Sequence, residues 1–467
     1  MRLTLMISAT LLTVTLAVSS AVLSAGGETP SAGDVTFTKH VAPILQKYCQ
    51  ECHRPSTFAP MSLLTYEQAR PWARAMKAKV VARQMPPWFI DKTVGIQDYV
   101  SDRSLTEAEI ETIAKWADSG APQGNPADMP PPRVFKNNQQ WDFGQFGDEP
   151  DMIVSLPKDY MMPPTGPDRW PEIMVDPKLT EDRYLAGVQL IPTKGDRLIH
   201  HLQTNMISPS AEAQFEQGKV TAEERGAFLN EYAVGKGADL FADNSGRLIP
   251  AGTKFNVQLH LHPTYNQQNR EATPVNVMLG LKFHPKGYKP QFDAKTIKIP
   301  YAPIDIRPGE KNVRVDGYYR LAQATRVLSW QPHMHNRGSY ACLQALIPAQ
   351  GNMGMGSEGT GLPTAERIEV RLLSCARFSF SWHLNYTYTD DVAPLLPAGT
   401  ILQTLQWFDN SRGNPDNPDP DAQITRGNRT LDEMAGAWLS YYYLSNAEFE
   451  KQMTARESRK HRVNTSN

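Results

Sequence analysis

The chain lacks the means for several common tasks. Its 48 basic and 49 acidic side chains nearly cancel, so no basic field marks it for nucleic acid. Past residue 22, no run approaches the roughly 20 apolar residues that a bilayer crossing needs, so no stable membrane span is expected. Cysteine is scarce at four residues and histidine at 11, so each has to be accounted for. Charge is ordinary at 21%, while proline is abundant at 37 residues. That balance favours a loop-rich β protein over a helical array. At 467 residues the chain exceeds one hydrophobic core and suits two to four domains.

The amino terminus has one clear apolar run. Met1-Arg2-Leu3-Thr4 opens a positively charged start, apolar residues continue to about Val22, and Ser24-Ala25-Gly26 follows. Residues 1–25 therefore read as a secretory signal peptide cleaved near Ala21 or Ala25. The expected location is periplasmic or secreted.

Two cysteines stand in Cys49-Gln50-Glu51-Cys52-His53. Cys-x-x-Cys-His is the attachment pattern for a c-type haem. The thiols of Cys49 and Cys52 would add to the porphyrin, and His53 would lie beneath the iron as an axial ligand. Thr36–Leu45, Thr65–Arg70 and Leu105–Trp116 have helical apolar spacing. Thr106 and Glu109 form a capping-box pattern, and Gly120-Ala121-Pro122 stops the last helix. Residues 34–128 thus resemble a class I cytochrome c domain. Met85, in the stiff Met85-Pro86-Pro87 loop, is the expected second axial ligand; Met61, Met76 and His40 are alternatives. Cys342 and Cys375 remain, in strand-like contexts, and in an exported protein are expected to pair. Residues 129–150, with Pro130-Pro131-Pro132, read as an extended semi-rigid linker.

Six histidines fall in three motifs: His200-His201, His260-Leu261-His262 and His333-Met334-His335. Each is set among apolar residues alternating at period two. In a strand, residues i and i+2 share a face, so His333 and His335 can reach one ion, as can His260 and His262. Adjacent His200 and His201 point oppositely in a regular strand and can converge only at a strand end or bulge. Imidazoles without thiolate or carboxylate partners suit copper, zinc or iron, and spacing does not choose among them.

The order of these motifs over Asp151 to Tyr443 resembles the copper type II, ascorbate-dependent monooxygenases, the family of peptidylglycine α-hydroxylating and dopamine β-monooxygenases. His200-His201, Gln258-Leu259-His260, Pro332-His333-Met334-His335, Leu396-Pro397-Ala398-Gly399, Asp409-Asn410-Ser411 and Asp432-Glu433-Met434 carry the likeness. The resemblance implies two tandem antiparallel β-sandwich (jelly-roll-like) domains, residues 151–290 and 291–450, each with one copper, facing each other across an open cleft. It implies one copper on His200, His201 and His260, and a second, oxygen-activating copper on His333, His335 and Met434. His262 then becomes a neighbour rather than a ligand, and His383 has no counterpart and reads as structural. The chain departs from the peptide-hydroxylating branch at Gln331 and Trp438. An arginine and a tyrosine there grip a substrate carboxylate, and their absence removes the bidentate fork. An aromatic, uncharged or amine-bearing small molecule is the expected substrate.

The sequence therefore leads us to expect a multidomain protein: a small all-α haem domain followed by two all-β sandwiches. It would be an exported copper monooxygenase with two copper ions and one covalent haem c. It would act on a small-molecule substrate and O2. Electrons would come from ascorbate or a redox protein and pass through haem to the His200/His201/His260 copper. Two other classes fit parts of the pattern: a periplasmic haem/copper electron-transfer protein without oxygenase activity, and a copper-binding redox sensor. Residues 451–467 read as a basic, disordered tail.

Overall fold

The computed structural model describes residues 35–465 apart from 56, 58, 101, 136–139, 220–225, 234–236, 242–243, 263–270, 349–367 and 428. The signal-peptide expectation lies outside the described residues. Strands dominate, with a few mostly short helices.

The amino-terminal helices share one core. A turn at Phe37–Val41 runs into the helix Ala42–Tyr48; Tyr66–Ala69, Ala73–Val81 and Glu107–Asp118 follow. Apolar spacing puts Phe37, Leu45, Ile113 and Trp116 in the centre. Truncating such an aromatic to alanine costs about 3–5 kcal/mol. The capping box forms as expected, with Thr106 and Glu109 each satisfying the other's backbone.

Beyond it lie two pairs of packed sheets. In the first pair, the strands Met152–Ser155, Thr273–Phe283, Arg183–Lys194 and Ser245–Ile249 pack on the four-stranded sheet Glu172–Val175, Lys254–Leu261, Ile199–Ile207 and Ala227–Ala233. Leu185, Val188 and Val277 from one sheet meet Leu202, Phe255 and Val257 from the other. In the second pair, Lys295–Ile299, Ala435–Leu444, Ala324–Met334 and Tyr386–Thr387 face Lys311–Arg320, Ile401–Asp409, Gly338–Pro348 and Ile368–Arg377. Val327, Trp330, Leu343 and Phe408 fill that core. Among the described residues the pairings within these two units are antiparallel, apart from the short parallel contact of Phe292–Asp293 on Ser245–Gly246 and the isolated parallel bridge Arg426–Glu433. No helix among the described residues is long and apolar enough to cross a membrane.

Cys342 and Cys375 sit directly opposite each other on neighbouring strands and form a disulfide, as expected. The described residues of the segment 129–150, expected as an extended semi-rigid linker, make fixed contacts with both neighbouring units. Arg133 donates to Gln46 O at 2.9 Å, and Trp141 and Phe143 bury against Ile191. The expectation of a disordered tail is corrected for the described residues. Asn446–Thr465 is a helix whose Phe449 and Met453 pack against Tyr442, Leu444 and Phe292. Ser445 and Glu448 cap it reciprocally, with Ser445 N–H donating to the Glu448 carboxylate at 2.9 Å and Glu448 N–H to the Ser445 hydroxyl at 3.2 Å. Arg456 donates to Ala393 O at 2.8 Å. The apolar residues among its charges supply the docking face.

Candidate functional site

The histidine strands do something unusual with period two. Along Lys254–Leu261, Phe255, Val257 and Leu259 point into the first core. His260 lies on the opposite face, which in a lone sheet pair would meet water, yet it is only 4% exposed. The same holds on Ala324–Met334. Trp330 and Met334 enter the second core, while Ser329, Gln331 and His333 on the other face are also buried. The outer faces of the two sheet pairs cover each other, and the histidines lie where they meet.

His201 and His260 are direct cross-strand partners, and the register between Ile199 and His201 skips one residue. The irregularity falls at His200, the place where adjacent histidines could converge. The side chain of His200 lies outside the described part of the structure. The rings of His201 and His260 are 4.9 Å apart, and those of His333 and His335 are 5.4 Å apart. Met434 directly precedes the strand Ala435–Leu444, whose Ala435 pairs with Met334, so its backbone follows on beside His335.

The resemblance led us to expect an open cleft between the two sets. Instead, the rings of His201 and His333 stand 6.5 Å apart. Phe228 of the first unit stacks on Trp438 of the second with centroids 5.4 Å apart. Gln331 donates to Glu231 across the same seam, and Thr430 donates to Asp168 at 2.7 Å. These contacts clamp the faces together. His383, expected to be structural, lies between the two sets. It stacks on His201 at 5.0 Å and lies 5.1 Å from His333. The side chain of His262, expected as a neighbour rather than a ligand, is 60% exposed and bonds to Asp168.

Two acidic residues that the sequence reading missed hold the rings. Glu231, fully buried, places Oε1 3.3 Å from His201 Nδ1 and 3.6 Å from His383 Nδ1. Asp168 Oδ2 lies 2.9 Å from His260 Nε2, and hydrogen bonds from His260, Thr430 and His262 outweigh its burial and hold its carboxyl well below the usual carboxylate range. Asp432 O lies 3.0 Å from His335 Nδ1. Metal-binding imidazoles are held in this way, with one ring nitrogen on an acceptor and the other left for the ion. Neither acid belongs to a motif; Glu231 lies on the strand beside that of His201, and Asp168 directly precedes Arg169, which bridges to Leu261.

Glu433 fixes the neighbouring turn. Its carboxylate accepts from the backbone N–H of His335 and of Arg337, each at 2.8 Å, while burial pushes its carboxyl up to about 7. Burial also pushes the His335 imidazole down to about 4 and that of His333 well below its ordinary value. Both rings are therefore neutral at pH 7 and can offer lone pairs.

No three His, Cys, Asp or Glu side chains among the described residues close on one point. The expected sets do not reduce to that pattern, since one includes His200 and the other pairs two imidazoles with the Met434 thioether. The donor chemistry suits copper: neutral imidazoles, a soft sulfur, and a buried His333 Nδ1 with no hydrogen-bond partner among the described residues.

In the helical unit, Cys49 and Cys52 are free thiols that follow the helix Ala42–Tyr48 directly. His53 Nδ1 faces Met61 O at 3.3 Å, which leaves Nε2 for an iron. Met76 is buried in the helical core. His40 Nδ1 accepts from Thr36 N–H at 3.1 Å. Met85 lines a cavity of about 370 Å³ with Val80, Leu105 and Ile110. These residues suit a covalent haem.

A second cavity, of about 290 Å³, adjoins the histidines where Trp88, Phe228, Gln331, His383 and Trp438 converge. No protein-family model and no curated protein matches this chain. Among solved structures, the major capsid protein P2 of bacteriophage PM2 is similar at 9% identity over 63% of this chain and 98% of its own, with a TM-score of 0.23. An allantoicase is similar at 7% identity over 54% and 81%, with a TM-score of 0.17. The PBCV-1 VP54 structure is similar at 11% identity over 62% and 92%, with a TM-score of 0.19. Likeness at these scores carries no argument about function.

Proposed function

We propose that this protein is an exported, copper-dependent monooxygenase that hydroxylates a C–H bond of a small organic molecule with O2, its electrons passing through a covalent c-type haem. In this reading residues 34–128 are a cytochrome c domain, and residues 151–290 and 291–450 are tandem jelly-roll-like sandwiches. The supporting observation is the meeting of buried imidazoles from two sheet units beside an aromatic-walled cavity.

His200, His201 and His260 would hold one copper; His333, His335 and Met434 would hold the other. Cys49, Cys52, His53 and Met85 would hold the haem. Bound copper and haem supply the one-electron steps and the dioxygen chemistry that no side chain provides. The chain's own residues do the rest. Glu231, Asp168 and the Asp432 carbonyl fix ring orientation. The packed sheet faces exclude water from the reacting centre. Trp438 and Phe228 offer an aromatic wall, and Gln331, engaged with Glu231, offers no cation for a substrate carboxylate.

A carrier without oxygenase activity has no use for a substrate-sized cavity at its histidines, which favours the enzyme. The experiment is metal analysis with oxygen uptake against aromatic amines, phenols and hydrocarbons. Two coppers, one haem iron and substrate-dependent uptake are expected. Metals without uptake on any substrate would make the protein an electron carrier.

A further inference from the structure

The helical unit is joined to the rest of the chain by more than its linker. Residues 88–100 run along the second sheet pair as an added edge. Arg377 N–H donates to Phe89 O at 3.0 Å, Asp91 N–H to Cys375 O at 2.9 Å, Ile96 N–H to Leu373 O at 2.8 Å and Val100 N–H to Thr387 O at 2.8 Å. Gly95, at φ +68°, makes the close approach, since a Cβ there would meet Leu373 O at 2.6 Å. Trp88, Ile90 and Tyr99 belong to the second core, not to the helical one.

This docking builds a path of ring contacts joined by a short run of backbone. Trp88 follows Met85 after two prolines. Its ring meets Tyr386 edge-on with centroids 5.1 Å apart. Tyr386 is buried and is followed, back along the chain, by Asn385, Leu384 and His383. Trp88 and His383 also line the same cavity. His383 in turn contacts His201 and His333 at 5.0 and 5.1 Å. Electron tunnelling falls off less steeply through packed rings and covalent bonds than across solvent, so this buried route outcompetes one across solvent.

We propose that electrons pass from the helical unit through Trp88 and Tyr386 to His383, which delivers them to both histidine sets, rather than entering at the His200/His201/His260 set from outside. The inference rests on the haem and copper reading above. The balance is one electron per step. Ferrous haem becomes ferric as one cupric ion becomes cuprous, and an external one-electron donor, ascorbate or a redox protein, restores the ferrous haem. The rings and the backbone from Tyr386 to His383 couple the two ends and are not themselves oxidised, and no proton changes place.

The test follows haem absorbance after rapid reduction of full-length, copper-loaded protein, with re-oxidation of the haem as the readout. Trp88→Leu should slow re-oxidation by an order of magnitude or more while the haem spectrum and copper content stay as in wild type. Trp88→Phe keeps an aromatic ring in contact and should retain most of the rate. His383→Gln should slow it as Trp88→Leu does, and carries the test should Trp88→Leu not fold. Wild-type re-oxidation rates in both Trp88→Leu and His383→Gln would overturn the route, as would a rate lost only on His201→Ala. Wild-type protein lacking covalent haem or copper would defeat the proposed function itself; both present, with transfer indifferent to Trp88 and His383, would defeat only this route.

Discussion

The Glu231 carboxylate stands 3.3 Å from Nδ1 of His201, fully buried between two sheet units. A carboxylate in that position orients the ring and raises its basicity. Glu231→Ala should weaken copper binding at the His201 set by about 10–100-fold. Glu231→Gln, which keeps the shape and one acceptor, should fall between. Chelator competition on purified protein measures both. Equal copper affinity in all three proteins would leave Glu231 with no part in the site.

Met434→Ala separates the two copper sets. The variant should keep its haem and the His200/His201/His260 copper reducible at normal rates, because under the proposed function neither uses the thioether. Substrate-dependent oxygen consumption should be abolished. Full uptake in this variant would remove Met434 from the reacting centre.

His262 is bonded to Asp168 at 2.6 Å but points largely to solvent. His262→Ala should therefore keep both coppers, whereas His260→Ala should lose one. Metal content by mass spectrometry or atomic absorption decides the point, and the reverse pattern would exchange their roles.

Two methionines of the helical unit should respond in opposite ways. Met76 is buried in the core, so Met76→Ala should destabilise the protein by about 2–5 kcal/mol with the haem spectrum unchanged. Met85 is half-buried beside a cavity. Met85→Ala should lower the haem reduction potential, because a thioether ligand raises it, with little loss of stability. An unaltered spectrum in Met85→Ala would move the axial ligand to Met61.

Asp91 sits where the helical unit meets the second sheet pair. Its carboxylate accepts from the Thr93 hydroxyl at 2.6 Å, the Tyr340 hydroxyl at 2.7 Å and the Thr93 N–H at 2.9 Å, and these bonds hold its carboxyl below the ordinary range. A carboxyl depressed on folding stabilises above its unfolded value, near about 4, and loses that contribution as pH falls through its folded value. Asp91→Asn should therefore be less stable than wild type near neutrality, by under about 1 kcal/mol given its solvent contact. The gap should close in acid. Urea midpoints for the two proteins at neutral and acid pH measure it, and a gap that widens in acid would reverse the sign argued here.

Much of this protein was legible before folding because the signals are local. The capping box of Thr106 and Glu109 is an interaction over three residues. Alternation along Lys254–Leu261 follows from the pleat. The bulge at His200 was legible as a requirement, since adjacent side chains otherwise diverge. The Ser445–Glu448 cap was equally local, but the basic composition beyond it suggested disorder, and burial of Phe449 and Met453 against the second unit overrode that reading.

What the tertiary structure alone decided is which outer faces meet. Period two says that His260 and His333 lie on the faces away from their own cores, and by itself that puts them in water. Only the packing of one sheet pair on the other buries them and sets His383 of the second pair against His201 and Glu231 of the first, while the docking of residues 88–100 lays Trp88 against Tyr386. Those residues carry no spacing signal because their partners are distant in the chain, and a lone glutamate, histidine or tryptophan has no period. The sequence by itself determined which strands form and which side chains face outward. Contact between units, driven by burial of those outward faces, determined that they make one site.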